Sequence, residues 1–133
     1  MSLLKVISFM IKGESLLHNR MFHSSAVTSA GLHLIGGSIS AKSTELLPSD
    51  GGSSLNGFVL DVPRRNHCSI QISNASIVLT GGEDSLFSVT EISGLSSGDE
   101  LVRRKLPDLI SKRSDHACGS YWVEDSQASQ SIF

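Results

Sequence analysis

Two diglycine pairs constrain this chain more than any other feature of its sequence. Gly36-Gly37 and Gly81-Gly82 lie 45 residues apart (82 − 37), and each pair follows a short apolar run. Recurrence at a fixed period of roughly 20–50 residues is typical of repeat proteins, in which each unit is one supersecondary motif. Glycine has no Cβ, so each pair permits left-handed backbone and a close approach of neighbouring segments. The chain therefore divides into repeated units, each with one diglycine at which neighbouring segments can approach closely.

Polar and charged residues recur at matching distances around the two pairs. A Thr-Glu pair begins 7 or 8 residues after each diglycine (44 − 37 and 90 − 82). An Arg and a His precede each diglycine, and a third Arg and His follow later. Residues that recur in every unit are expected to be structural, because they can bond loop backbone that would otherwise be buried unpaired. The set is Arg20, His23, Thr44 and Glu45; Arg65, His67, Thr90 and Glu91; and Arg113 and His116, with Arg64 restoring the three-residue Arg-to-His interval in the second unit.

The local pattern within each unit predicts β-strands. Short apolar runs lead into the glycines, and turn-forming residues separate each run from the strand before it. The predicted fold class is therefore all-β, with antiparallel four-stranded sheets. The predicted strands are Ser24–Ser29, Leu32–Ile35, Ser43–Leu47 and Asn56–Asp61 in the first unit, and Cys68–Ser73, Ile77–Thr80, Ser88–Ser93 and Glu100–Arg104 in the second.

Together, the Arg-x-x-His, diglycine and Thr-Glu motifs resemble the kelch repeat over residues 20–123. The resemblance implies that each unit is one four-stranded blade of a β-propeller. Phe58 would replace the tryptophan that the family usually has in the fourth strand. The implied division is a lead-in strand over residues 1–19 that would belong to a preceding blade, repeats over 20–62 and 63–105, and a truncated third repeat with a C-terminal tail over 106–133.

The number of blades limits what such a chain can form. A propeller closes its ring with about 4–8 blades, whereas the sequence reaches two repeats and the start of a third. We therefore expect an open, partial propeller of about two to three blades. Three states fit this expectation: a truncated gene product, a subunit that closes by self-association through exposed blade faces, or an open pair of sheets.

The inventory of chemical groups argues against an enzyme. His23, His67 and His116 are repeat-equivalent, and neighbouring blades would direct them along different radii rather than toward one metal. No set of Ser, His and Asp is marked as a catalytic triad by its context, and Asp115 and His116 would face opposite ways on a strand. We expect no catalytic, metal or cofactor site. The alternative is a fragment of a secreted propeller resembling galactose oxidase, whose catalytic blades are missing from this chain.

Binding of another protein or peptide is the function that the sequence favours. Loops at one face of a propeller vary freely while the blades hold them in place. Kelch propellers commonly act as interaction modules, as adaptors of ubiquitin ligases or as actin-binding proteins, so the resemblance implies a scaffold or recognition role. The candidate loops are Ser38–Lys42, Ser49–Ser54, Glu83–Phe87 and Gly94–Asp99, with Asp50, Glu83, Asp84, Leu86, Phe87 and Asp99 as the contact residues for a basic partner.

Charge and cysteine content narrow the possible partners and the possible cellular location of the chain. The net charge is −2 and no basic stripe occurs, so nucleic acid is not an expected partner. No apolar segment approaches the roughly 18 or more residues of a membrane helix, so a membrane is not expected either. Cys68 and Cys118 occupy nearly equivalent places in successive units, so we expect no disulfide between them. The absence of a clear signal peptide favours the cytoplasm, while the glycosylation sequon at Asn74-Ala75-Ser76 keeps an extracellular location open.

Overall fold

The fold consists of β-strands joined by turns and loops. The computed structural model describes residues 15–38, 41–96, 100–124 and 129–132, with side chains as far as Ser120. These ranges contain no helix, and so none that could cross a membrane. The predicted all-β class is confirmed. Of the predicted lead-in strand over residues 1–19, residues 1–14 lie outside the described residues, and residues 15–19 form no strand. The strands are β1 (Ser24–Thr28), β2 (Gly31–Ile35), β3 (Thr44–Pro48), β4 (Leu55–Asn56), β5 (Cys68–Ser73), β6 (Ser76–Thr80), β7 (Val89–Ser93), β8 (Val102–Leu106), β9 (Tyr121–Glu124) and β10 (Ser129–Ile132).

The described strands form two four-stranded antiparallel sheets and a separate hairpin. Strands β1 to β4 pair in chain order in the first sheet, β5 to β8 do the same in the second, and β9 pairs with β10. Short turns at Ser29-Ala30 and Asn74-Ala75 close the first hairpin of each sheet. Both four-stranded sheets are therefore meanders, which need only short connections.

The diglycines turn the chain out of β2 and β6. The N–H of Gly36 donates to the Ser43 carbonyl oxygen at 3.0 Å, and the N–H of Gly81 donates to the Ser88 carbonyl oxygen at 2.9 Å, so the same bond closes both loops. Glycine adopts left-handed backbone at no steric cost, and the φ angles above about 100° at the second glycine of each pair are specific to it. The φ angles are 66° and 117° at Gly36 and Gly37, and 64° and 108° at Gly81 and Gly82.

The two sheets pack face to face through alternate residues of their strands. Ala26 and Ile35 of the first sheet meet Ile77, Leu79 and Ile92 of the second, and the last three are fully buried. Side chains alternate between the two faces of a strand, so neighbouring residues point away from this core. Burying one such aliphatic side chain contributes about 1.5–3 kcal/mol. This interface is the larger of the two apolar clusters in the described chain.

The fourth strand of the first sheet is shorter than predicted. It covers only Leu55–Asn56, whereas the sequence suggested Asn56–Asp61. The chain leaves the sheet at Gly57, and the path beyond it turns Phe58 and Leu60 into the core between the sheets. The prediction was wrong because the apolar residues that suggested a strand are buried in that core instead of continuing the strand pairing.

A disulfide joins Cys68 to Cys118, so the prediction that the two cysteines stay unpaired was wrong. Their Cα atoms are 6.0 Å apart, within the usual range for a disulfide. Successive units stack directly on one another, which brings equivalent positions into contact instead of separating them. The bond holds the segment after β8 on the outer face of the second sheet, where Ile70, Val78 and Val89 form the second apolar cluster.

Candidate binding surface

A buried arginine ahead of each sheet binds the loop that opens with the diglycine. Arg20 Nη1 donates to the carbonyl oxygens of Gly36 at 2.7 Å and Ser43 at 3.0 Å. Arg64 makes the two equivalent bonds in the second unit, at 2.8 and 3.2 Å. The residue in this place is therefore Arg64 and not Arg65, because Arg64 keeps the three-residue interval to the following histidine.

The carboxylate that accompanies Arg20 has no counterpart beside Arg64. Arg20 Nε lies 2.7 Å from Glu45 Oε2, and both side chains are fully excluded from solvent. Strand pairing places Thr90, not Glu91, at the position of Glu45, and Thr90 Oγ1 accepts a bond from Arg64 Nη2 at 3.0 Å. The two Thr-Glu motifs are thus one residue out of register, which directs Glu91 to the opposite face of β7.

The two buried arginines therefore sit in different electrostatic surroundings. Burial alone would raise the pKa of Glu45, but hydrogen bonds from Arg20 and from the N–H groups of Leu17 and His18 outweigh it and lower that pKa. Burial lowers the pKa of Arg64 to about 10. Arg64 is fully buried, and its Nε has no partner among the described residues. The second unit thus holds a cation balanced mainly by carbonyl and hydroxyl dipoles.

A residue in the left-handed conformation precedes each repeated histidine. Phe22, Asn66 and Asp115 have φ angles of 60°, 53° and 53°. The N–H of Asn66 donates to the Phe22 carbonyl oxygen at 2.9 Å, and the N–H of Asp115 donates to the Asn66 carbonyl oxygen at 2.8 Å. The three lead-in segments form one hydrogen-bonded row. Asp115 and His116 therefore lie in a loop, and the prediction that placed them on a strand was wrong.

Two of the repeated histidines bind hydroxyl groups of the preceding sheet. His67 Nε2 lies 2.6 Å from Ser24 Oγ, and His116 Nε2 lies 2.8 Å from Thr80 Oγ1. Burial, with the nearby charge of Arg64 as a smaller cause, lowers the pKa of His67 to about 4. The ring is therefore neutral at pH 7. Within the described residues, no three His, Cys, Asp or Glu side chains are grouped as metal ligands.

An open cavity of about 750 Å³ lies where the two sheets meet at one end. We call this end, which carries residues 29–30, 48–54, 74–75 and 94–96, the hairpin end. The volume falls within the roughly 300–1,000 Å³ usual for small ligand sites. Five apolar residues and two polar ones supply most of the lining side chains: Leu46, Pro48, Phe58, Leu95 and Leu101, with His33 and Asp50.

His33 is the buried polar residue of this cavity. Its Nε2 lies 2.8 Å from Thr28 Oγ1, and its ring centroid lies 6.0 Å from that of Phe58. Burial lowers its pKa, so the ring is neutral at pH 7. Its Nδ1 is buried without a partner among the described residues. The cavity therefore combines apolar walls, one neutral imidazole and the exposed carboxylate of Asp50.

The predicted contact residues separate onto opposite ends of the sheets. Asp50 lies at the hairpin end, while Glu83, Asp84, Leu86 and Phe87 lie at the other end, which we call the diglycine end (residues 36–38, 41–43 and 81–88). Successive connections of a meander alternate between ends, so these residues do not form one surface. Asp99 lies outside the described residues.

Internal ion pairs reduce the acidic character of the diglycine end. Arg65 Nη2 lies 3.0 Å from Glu83 Oε2, and its Nε lies 3.7 Å from Asp84 Oδ2. Phe87 is 40% exposed, and the Lys112 ammonium lies 5.9 Å from its ring centroid. A basic partner would have to compete with Arg65 and Lys112 at this end. The hairpin end is therefore the better binding candidate.

Sequence reasoning missed most of the cavity. Asp50 was predicted from its loop, but Leu46 and Phe58 were interpreted only as strand residues. The one available signal was the run of apolar residues that flanks the loop after β3. Recognising the cavity also requires the stacking of the two sheets, which brings Leu95 and Leu101 of the second unit against the first.

Comparisons with known proteins assign no family to this chain. No family model matches the sequence, and no curated protein matches it. The resemblance to kelch repeats therefore depends on the motifs and on the contacts that those motifs make.

Proposed function

We propose that the chain is a kelch-type protein-interaction module, an open and partial β-propeller of two blades and the start of a third. The repeated contacts support this proposal. Each unit contributes a four-stranded meander, a diglycine loop, and an arginine that binds the carbonyl oxygens of that loop. A backbone bond from Gly37 to Arg64 recurs from Gly82 to Arg113 at the same 2.9 Å, which is the behaviour expected of stacked blades.

The cavity at the hairpin end is the observation that carries the binding function. Its apolar walls can take one or two apolar side chains of a partner, and Asp50 stands at the loop to pair with a basic residue beside them. Aromatic or aliphatic anchors that enter a pocket supply most of the energy of a protein interface. The best-fitting partner is a peptide segment with an apolar anchor next to Lys or Arg.

The chemical groups around the cavity fit binding better than catalysis. His33 is neutral and its free nitrogen is shut off from solvent, so it is poorly placed as a general base. The proposal therefore gives the chain no enzymatic role and no cofactor. The ubiquitin-ligase and actin roles of kelch proteins follow from resemblance alone, and nothing in the described residues selects between them.

Peptide selection tests this site directly. Random peptides displayed on phage would be selected on the immobilised chain, and the affinity of the best peptides would be measured by calorimetry. We expect Leu46→Arg to weaken binding at least tenfold, because it places a charge in the apolar wall. Asp50→Asn should weaken the binding of basic peptides by a smaller factor than Leu46→Arg does, and should make that binding less dependent on salt concentration. Phe87→Ala, at the diglycine end, is the matched control and should change nothing.

Two outcomes would contradict the proposal. Peptides that are insensitive to Leu46→Arg and lost with Phe87→Ala would move the binding site to the diglycine end. Failure to select any peptide whose binding depends on the cavity would remove the function altogether. Circular dichroism of each variant checks that the sheets remain folded.

A further inference from the structure

The sequon Asn74-Ala75-Ser76 occupies the turn between β5 and β6, and the proposed binding function does not use it. It is the one Asn-x-Ser/Thr sequence in the chain. Asn74 is exposed, and its side chain makes no hydrogen bond to any described residue. A shallow cavity of about 450 Å³ beside it, lined by Gln71, Ile72, Ser73, Asn74 and Ser120, leaves room for a first sugar.

The main chain of this turn is fixed although the Asn74 side chain is free. The Asn74 carbonyl oxygen accepts a bond from the N–H of Ser29 at 2.7 Å, and the Ala75 carbonyl oxygen accepts one from Leu95 at 2.8 Å. Ser76 is buried and its hydroxyl lies 2.5 Å from Ser73 Oγ. A glycan on Asn74 would therefore project outward without disturbing the sheets, while the hydroxyl of the sequon is accessible only before they fold.

The disulfide between Cys68 and Cys118 is an independent observation that points to the same compartment. Disulfides persist in secreted proteins and in the endoplasmic reticulum, and they are rare in the cytosol. Both cysteines of the chain take part, so no free thiol remains. Asparagine-linked glycosylation takes place in the same secretory pathway. Neither observation depends on the kelch resemblance.

We propose that Asn74 carries an N-linked glycan, added as the chain enters an oxidising secretory compartment where Cys68 and Cys118 also pair. In this transfer the Asn74 amide nitrogen forms a bond to the anomeric carbon of a lipid-diphosphate-linked oligosaccharide. The bond from that carbon to the diphosphate breaks, the lipid diphosphate leaves, and the amide nitrogen loses one proton. The two thiols lose two protons and two electrons to a protein disulfide, which is reduced to a dithiol.

Secretion of the full chain from a eukaryotic host, behind a cleavable signal peptide, tests the proposal. Intact mass would be measured before and after treatment with peptide N-glycosidase, and peptide mapping would locate the modified residue. We expect a mass loss of one oligosaccharide and conversion of Asn74 to Asp. Asn74→Gln should abolish the loss, whereas Asn56→Gln, at an exposed asparagine outside any sequon, should retain it.

The peptide map of the unaltered chain decides the question even where a variant is not secreted. An unmodified Asn74 in secreted protein, or a glycan at another residue, overturns the proposed site. Alkylation without prior reduction labels only free thiols, and we expect neither Cys68 nor Cys118 to be labelled. Labelled Cys68 and Cys118 would overturn the proposed pairing, and with it the second observation that points to an oxidising compartment. Peptide binding at the cavity is measured separately, so failure of one proposal leaves the other standing.

Discussion

Arg64 Nη2 lies 3.0 Å from Thr90 Oγ1, in the place where Arg20 meets the carboxylate of Glu45. The two units thus keep the arginine and its bonds to the loop carbonyl groups, but only the first places a carboxylate in contact with the arginine. The charge of Asp61 acts on Arg64 without such a contact. A buried charge without a carboxylate is costly unless dipoles surround it. The repeated motif therefore preserves the geometry of the loop more strictly than it preserves the electrostatics.

Removal of Glu45 should destabilise the chain more than removal of the Thr90 hydroxyl. Glu45→Ala leaves Arg20 as an unpaired buried charge, which costs about 3–5 kcal/mol. Thr90→Val removes one acceptor from an arginine that retains its other partners, at a cost of about 1.5 kcal/mol. Urea unfolding followed by circular dichroism measures both. Equal losses would show that the ion pair adds nothing beyond an ordinary hydrogen bond.

Stability should fall as the pH drops from about 6.5 to 4, partly through His67. Its pKa is about 4 in the folded chain and about 6.5 in an unfolded one. Between these values the unfolded state binds a proton that the folded state does not, so the free energy of unfolding decreases by up to roughly 3 kcal/mol.

The variant His67→Gln should flatten this dependence in urea unfolding between pH 7 and pH 4. Some slope remains, because burial also lowers the pKa of His33 and His116. An unchanged slope in the variant would show that His67 is protonated in the folded chain.

Reduction of the disulfide should weaken the second sheet. The bond closes a loop with a sequence separation of 50, and chain entropy predicts a stabilisation of about 4 kcal/mol for a loop of this length. Unfolding in urea with and without a phosphine reductant measures the effect. The double variant Cys68→Ser/Cys118→Ser is the control and should not respond to reductant. A similar loss of stability on reduction in both proteins would show that the reductant acts on something other than the Cys68–Cys118 bond.

A methyl group at Gly81 should be far less tolerated than one at Gly51. Both glycines have left-handed backbone, with φ of 64° and 84°, so alanine carries a similar conformational penalty at each. A Cβ on Gly81 would lie 2.5 Å from the Arg113 carbonyl oxygen and 2.8 Å from His116 Cε1, whereas Gly51 has nothing within 4 Å. Gly81→Ala should therefore cost about 2 kcal/mol more in thermal or urea unfolding. Equal costs would mean that the His116 segment moves aside freely.

The architecture was predictable because its signals are local. Apolar runs, turn residues and diglycines each lie within a few neighbours along the chain. They located the first eight strands to within about two residues, apart from the shortened β4, whereas no strand was predicted at β9 or β10. Strand register is different, because a shift of one residue moves a side chain to the other face. The intervals of 7 and 8 residues after the diglycines already contained that shift, which separates Glu45 from Glu91.

Contacts between units were the part that sequence reasoning could not supply. The cavity at the hairpin end and the disulfide both need the distance between stacked sheets, and no spacing along the chain encodes it. The choice between Arg64 and Arg65 shows the same limit. Both residues were visible in the sequence and the three-residue interval to His67 favoured Arg64, but the burial of Arg64 follows only from its bonds to the loop carbonyl groups of the folded chain.

Arg64 belongs to two sheets at once. Its carbonyl oxygen accepts the N–H of Gly37 from the first sheet, at 2.9 Å, and its Nη1 donates to Gly81 in the second, at 2.8 Å. The segment that contains Arg64 therefore bonds to both sheets, and no division of the chain gives a unit that contains all of its bonds. Duplication of one whole unit would restore every such bond wherever the duplicated segment began. Differences in loop length are tolerated, because Arg64 lies 44 residues after Arg20 and Arg113 lies 49 residues after Arg64. Such a repeat protein can therefore lengthen by whole units, and the duplicated segment need not begin at any particular residue.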